Sequence, residues 1–69
     1  MRVLLRQTKT KLYYVSLHQW IAEAKGAFDF DDVERAIKLS RDANLTEMEV
    51  VLSYDDPSCD LVLPIRGGP

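Results

Sequence analysis

The sequence contains one cysteine, one histidine and no long apolar run. The single cysteine, Cys59, cannot close an intramolecular disulfide, and one cysteine with one histidine cannot build a Cys-His zinc site. The sequence also lacks the charged start, apolar run and small-residue cleavage site of a secretory signal. We therefore expect a protein of a reducing, cytoplasmic compartment, with no metal, no cofactor and no membrane segment.

The composition is that of a chain that folds. Its 69 residues are 46% hydrophobic and 29% charged, with only three Gly and three Pro, which is too apolar for a disordered chain. So short a chain encloses one core. We expect a single domain over residues 1–66 and a flexible C-terminal tail at 67–69.

Four segments of the sequence have the pattern of β-strands. Residues 2–6 and 12–15 are apolar and flank a polar stretch, which predicts a hairpin. Residues 47–54 alternate with period two, so that Met48, Val50 and Leu52 share one face and Val51 lies on the other. Residues 61–65 follow a turn signal at 55–58, with Leu61, Leu63 and Ile65 assigned to the face that packs against a helix and Val62 to the other. Pro64 predicts that this last strand lies at an edge of the sheet or ends there.

One amphipathic helix lies between the two pairs of strands. Asp31 is a suitable N-cap, Glu34 stands at the reciprocal capping position, and the apolar residues from Val33 onward fill one arc of the helix. Asn44 is suited to the left-handed residue that ends it. The sequence predicts an α+β fold, an antiparallel sheet of about four strands with one main helix on one face, in the order β-β-α-β-β.

Residues 16–26 fit two structures. Ser16 and Gln19 resemble a capping box and Gly26 resembles a helix stop, which together indicate a short helix. A turn at 16–19 followed by a short strand around Trp20 fits equally well, and we favour the strand because of the resemblance described next.

Part of the sequence resembles small uncharacterised bacterial and phage proteins. The shared features are the aromatic pair Tyr13-Tyr14, then Trp20, then Ala27-x-x-Phe30, followed by an amphipathic helix, and they cover roughly residues 12–40. The resemblance implies architecture only, with Trp20 ending a strand. Phe28 departs from the pattern because it adds a second aromatic residue.

The apolar residues on the far face of the predicted sheet suggest a partner. One helix covers one face of a sheet, whereas a face exposed to water should alternate to polar residues. We therefore expect a non-enzymatic protein-interaction or self-association module, most simply a homodimer. The predicted interface consists of Leu4, Tyr13, Val15, Val51 and Val62.

The alternative function is nucleic-acid binding through the N-terminal hairpin. Residues 1–25 hold five basic side chains and one acidic one, a net charge of +4, although the whole chain has a net charge of −2. Basic residues beside aromatic ones can contact phosphates and stack on bases. The predicted patch consists of Arg2, Arg6, Lys9, Lys11 and Trp20. No catalytic residues are predicted, since Ser16 and His18 lack the surroundings that activate a nucleophile.

Overall fold

The computed structural model describes residues 1–54 and 60–65. These residues form five strands, one α-helix and one 3-10 turn. The elements are β1 (Arg2–Gln7), β2 (Tyr13–Ser16), β3 (Gln19–Ile21), the 3-10 turn Ala24–Gly26, α1 (Val33–Asp42), β4 (Met48–Ser53) and β5 (Leu61–Pro64). The strands pair antiparallel in the order β3-β2-β1-β4-β5. The predicted α+β class is confirmed, with one strand more than the predicted four.

The additional strand comes from the segment that fitted two structures. β3 runs through Trp20, which pairs with Tyr14 of β2. The two rings meet edge to face at a centroid distance of 5.4 Å. In the turn between the strands the Ser16 hydroxyl oxygen accepts a hydrogen bond from the His18 N–H at 3.3 Å. The strand around Trp20 is therefore confirmed, and the capping-box pattern at Ser16 belongs to a turn.

The helix begins one residue later than its sequence signal indicated. Asp32, not Asp31, is the N-cap, and its carboxylate accepts a hydrogen bond from the Glu34 N–H at 2.9 Å. Asp31 instead has a left-handed backbone with φ 65°. The predicted left-handed residue at the other end is confirmed, since Asn44 has φ 55°.

The main core lies between α1 and the sheet. The helix packs on β1, the central strand, and on its neighbour β4. It buries one face of each strand together with Tyr14 and Phe30, and for β4 this is the face that the alternating pattern predicted. The buried residues of this core are Val3, Leu5, Tyr14, Phe30, Ala36, Met48 and Val50.

A second, smaller core lies on the opposite face of the sheet. The segment that connects β3 to α1, residues 22–32, is called the connecting segment. Leu4 and Val51 are 0% and 2% exposed, because Ala24 and Ala27 of this connecting segment pack over them beside Tyr13. The Arg2 guanidinium holds this segment by donating to the backbone oxygens of Ala24 at 3.0 Å and Ala27 at 2.6 Å. The expectation that one helix leaves this whole face uncovered is therefore wrong at its centre.

The chain passes from the second core to the first between β1 and β2. The Phe28 N–H donates to the Tyr14 carbonyl at 3.0 Å and the Phe30 N–H donates to the Val3 carbonyl at 2.8 Å. Asp29, between them, accepts from the Val3 N–H at 3.0 Å. The segment thus satisfies backbone groups where β1 and β2 diverge, as buried backbone requires.

β5 lies outside the reach of the helix. Leu61 and Leu63, which were expected to pack against the helix, are 53% and 41% exposed. A helix is about 10 Å across and strands are spaced about 4.8 Å apart, so α1 covers roughly two strands. The predicted turn at 55–58, Cys59 and the tail at 67–69 lie outside the described residues.

Candidate functional site

The five residues of the predicted interface do not form one exposed surface. Leu4 and Val51 are buried under the chain's own connecting segment, so a partner cannot contact them in this fold. Tyr13 and Val15 are half-buried at the β2 side of the sheet. Val62, on β5, is 44% exposed. Of the predicted set, Val62 therefore remains as an exposed apolar side chain on an outer strand.

The outer edge of β5 is the most exposed apolar element in the described part of the chain. Leu61, Val62 and Leu63 are 53%, 44% and 41% exposed. Leu61 and Leu63 pair with Leu52 and Val50, so they lie on the helix side of the sheet. Val62 pairs with Val51, so it lies on the opposite side. No charged side chain interrupts Leu61–Pro64. We call this element the β5 edge.

The pattern of hydrogen bonds between β4 and β5 shows which backbone groups of the β5 edge point away from the sheet. Antiparallel ladders alternate between hydrogen-bonded and non-hydrogen-bonded pairs. The Ile65 N–H donates to the Met48 carbonyl at 3.0 Å, which fixes this pair as hydrogen-bonded. The pair Val62 with Val51 is then non-hydrogen-bonded. The Val62 N–H and C=O therefore point away from β4, toward the outside of the sheet.

Pro64 occupies a position on β5 where it costs no ladder bond. Pro64 and Glu49, like Val62 and Val51, form a non-hydrogen-bonded pair. The proline nitrogen, which carries no hydrogen, therefore points away from β4, where no ladder bond is needed. The strand order confirms the edge position that Pro64 predicted. Pro64 also limits pairing with another strand at one end of the β5 edge.

A buried ion pair supports the sheet beside Pro64. The Arg6 guanidinium binds the carboxylate of Glu49, whose side chain is only 8% exposed. Arg6 also donates to the Tyr13 hydroxyl at 3.2 Å, and Lys11 approaches the same carboxylate at 3.5 Å. Burial alone would lower the pKa of the Arg6 guanidinium, but the hydrogen bonds to Glu49 and Tyr13 outweigh it and leave that pKa raised. The Arg6 charge is therefore fixed within the structure.

Every residue of the predicted nucleic-acid patch contacts other residues of the chain. Arg2 holds the connecting segment and Arg6 and Lys11 share Glu49, as described above. Lys9 forms an ion pair with Glu47 at 3.2 Å. Trp20 is half-buried and packs against the main core. Each cation therefore has a partner within the chain, although the side chains of Lys9 and Lys11 are 76% and 60% exposed.

Ser16 and His18 lie at the β2–β3 turn, and the aspartates near the helix bind backbone groups. His18 is exposed in the β2–β3 turn, where its backbone N–H donates a hydrogen bond to the Ser16 hydroxyl oxygen. Asp29 and Asp32 accept backbone N–H groups near the start of the helix. Among residues 1–54 and 60–65 no cluster of His, Cys, Asp and Glu could hold a metal ion. Within the same residues no helix has the length and apolar character needed to cross a membrane.

Sequence reasoning missed Leu61 and Leu63 as exposed residues. Their alternation with Val62 correctly placed them on the helix side of the sheet. It could not show that the helix covers β1 and β4 and leaves β5 exposed. The available signal was Pro64: a strand predicted at an edge is the one farthest from a centrally packed helix. No protein-family model, curated protein or solved structure matches the chain.

Proposed function

We propose that this protein is a non-enzymatic interaction module that associates with a second copy of itself through the β5 edge. The observation that carries the proposal is the combination of three exposed apolar side chains with outward-facing Val62 backbone groups on one terminal strand. Exposed edges with unpaired N–H and C=O groups are templates for pairing with another strand. A reducing, cytoplasmic location fits a module with one cysteine, Cys59, and remains part of this proposal.

A second copy fits the β5 edge because the edge is complementary to itself. In an antiparallel pair with a two-fold axis at Val62, the Val62 N–H of each copy donates to the Val62 carbonyl of the other. The Asp60 N–H of each copy then faces the Pro64 carbonyl of the other copy. This hydrogen bond uses the proline carbonyl and does not require a proline N–H. Asp60 of one copy does not face Asp60 of the other, so no like charges meet.

The other edge of the sheet is less suited to pairing. β3 has three residues and begins with the exposed Gln19. Very short edge strands are one of the devices by which proteins avoid pairing. Two-fold contact at β5 uses the same edge of both copies, so the association closes at a dimer instead of growing into a fibre. The contact is small, and we expect weak, concentration-dependent association.

Val62→Pro tests the proposal directly. This substitution removes an N–H that points away from β4, so it blocks pairing with another strand without breaking a β4–β5 ladder bond. Sedimentation of the wild-type chain from low micromolar to millimolar concentration should show a monomer–dimer equilibrium. The Val62→Pro variant should sediment as a monomer over the same range, with an unchanged circular dichroism spectrum.

Leu17→Lys is the matched control. Leu17 is 54% exposed in the β2–β3 turn, so its replacement removes a comparable apolar side chain far from β5. It should leave the equilibrium within about twofold of the wild type, since surface changes outside a contact have small effects. A wild-type chain that stays monomeric at millimolar concentration would overturn the proposal, as would a Val62→Pro variant that dimerises like the wild type.

A further inference from the structure

Phe28 is an exposed aromatic residue that the proposed function does not use. Its ring is 50% exposed, although its backbone N–H is bonded to the Tyr14 carbonyl at 3.0 Å. The ring meets Phe30 edge to face at 4.8 Å and Tyr14 at 6.3 Å. Phe28 is therefore packed against two other rings while half of its surface remains in water, where an apolar molecule can contact it.

Phe28 forms one wall of a groove between the sheet and α1. The groove has a volume of about 390 Å³ and an apolar floor formed by Tyr14, Phe30 and Leu39. Pockets for small molecules have volumes of about 300–1,000 Å³ and are mostly apolar with a few polar groups. The groove is thus large enough for a molecule of one or two fused rings.

The opposite wall of the groove carries positive charge. Arg35 and Lys38, nearly one turn apart on α1, both line it, and Asp42 adds one negative charge at its end. Neither cation forms an ion pair with any residue in the described ranges. The wall is therefore net positive on a chain whose net charge is −2. Such a local reversal of sign attracts an anionic ligand.

We infer that this groove binds a small planar aromatic molecule that carries one anionic group. The aromatic part packs against the rings of Phe28 and Tyr14. The anionic group faces Arg35 and Lys38. This arrangement needs neither the β5 edge nor a second copy of the chain, so the inference is independent of the proposed function.

A pair of probes that differ in charge tests the inference. Amide proton–nitrogen NMR spectra of the wild-type chain are recorded during titration with 2-naphthoate and, separately, with the neutral 2-naphthylmethanol. We expect saturable shifts centred on Phe28, Arg35 and Lys38 for both probes. The naphthoate should bind at least fivefold more tightly, and added salt should reduce that difference.

Two variants with the same change of charge separate a site from general attraction. Lys38→Glu should weaken naphthoate binding at least tenfold and leave naphthylmethanol binding within twofold. Arg41→Glu, on the same helix but outside the groove, should change neither affinity by more than about twofold. Phe28→Ala should weaken both probes, and circular dichroism checks that it remains folded.

Three results would overturn the inference. The first is the absence of saturable shifts up to the solubility limit of the probes. The second is equal binding of the charged and the neutral probe. The third is an equal loss of naphthoate binding in Lys38→Glu and Arg41→Glu, because that result would assign the binding to the overall charge of the helix.

Discussion

Three aspartates near the start of the helix have three different environments. Asp29 accepts hydrogen bonds from the Val3 N–H at 3.0 Å and the Asp31 N–H at 2.9 Å. Asp31 turns the chain with a positive φ, and Asp32 caps the helix. The sequence predicted a cap in this run but chose Asp31, because the spacing to Glu34 fits a capping box. The Asp31 N–H donates to the Asp29 carboxylate, a bond that no periodicity reveals, and the cap falls on Asp32, one residue later.

The carboxylate of Asp29 makes the stability of the fold depend on pH. The hydrogen bonds from the Val3 and Asp31 N–H groups lower its pKa below the ordinary 3.8. A lowered pKa means that the stabilisation is present above pH 3.8 and is lost as the pH falls through the folded-state pKa. Asp29→Asn keeps an acceptor but has no charge, so it should be less stable than the wild type at neutral pH. The difference should shrink below pH 3.8 in urea unfolding experiments.

Glu23→Gln is the control for this pH dependence. Glu23 precedes the 3-10 turn, and its side chain makes no capping hydrogen bond. Its replacement should leave a stability profile parallel to that of the wild type between neutral and acidic pH. A gap between wild type and Asp29→Asn that stays constant down to low pH would contradict the role of the Asp29 charge.

At the scale of elements, periodicity predicted the type of α1 and β4 but not what covers the sheet. Alternation identified both faces of β4, and the amphipathic arc identified the buried side of α1. The connecting segment had no such signal, because its covering residues are Ala24 and Ala27, which are small and not periodic. Its position depends on Arg2, far away in sequence, and on a close approach at Gly26, where an added Cβ would lie 2.9 Å from the Ile21 side chain.

The connecting segment should loosen when Arg2 is replaced. Arg2→Leu removes both hydrogen bonds to the segment, and hydrogen bonds to a charged group contribute about 1.5–3 kcal/mol. We expect a loss of about 2 kcal/mol in the free energy of unfolding, since the freed carbonyls regain water. The Ala27 and Phe28 amides, which are both hydrogen-bonded, should exchange faster with deuterium.

Lys25→Leu is the matched variant for Arg2→Leu. Lys25 lies in the same 3-10 turn and is exposed. Its loss changes the net charge equally and should alter the free energy of unfolding by less than about 0.5 kcal/mol. If both variants lost the same stability, or if the Ala27 amide kept its protection in Arg2→Leu, the segment would not depend on the Arg2 contacts.

At the scale of the whole molecule, one helix and one short segment share the covering of a five-stranded sheet. Five strands spaced about 4.8 Å apart are wider than a helix of about 10 Å. The helix covers the helix side of β1 and β4, and the connecting segment covers the centre of the other face. Among the apolar residues that neither of them covers, Leu61, Val62 and Leu63 are consecutive and lie on β5. The sequence could predict an excess of apolar residues from their number, but only the packing order of the strands locates that excess at an edge.

The thermal stability of the whole chain should therefore depend on its concentration. A dimer that forms only from folded chains raises the unfolding midpoint by mass action. The wild-type midpoint in differential scanning calorimetry should rise as the concentration increases from low micromolar to millimolar, and that of Leu17→Lys should rise in parallel. The midpoint of Val62→Pro should stay constant, because this variant lacks the outward N–H. Parallel slopes for the wild type and Val62→Pro would show that the folded chains do not meet through β5.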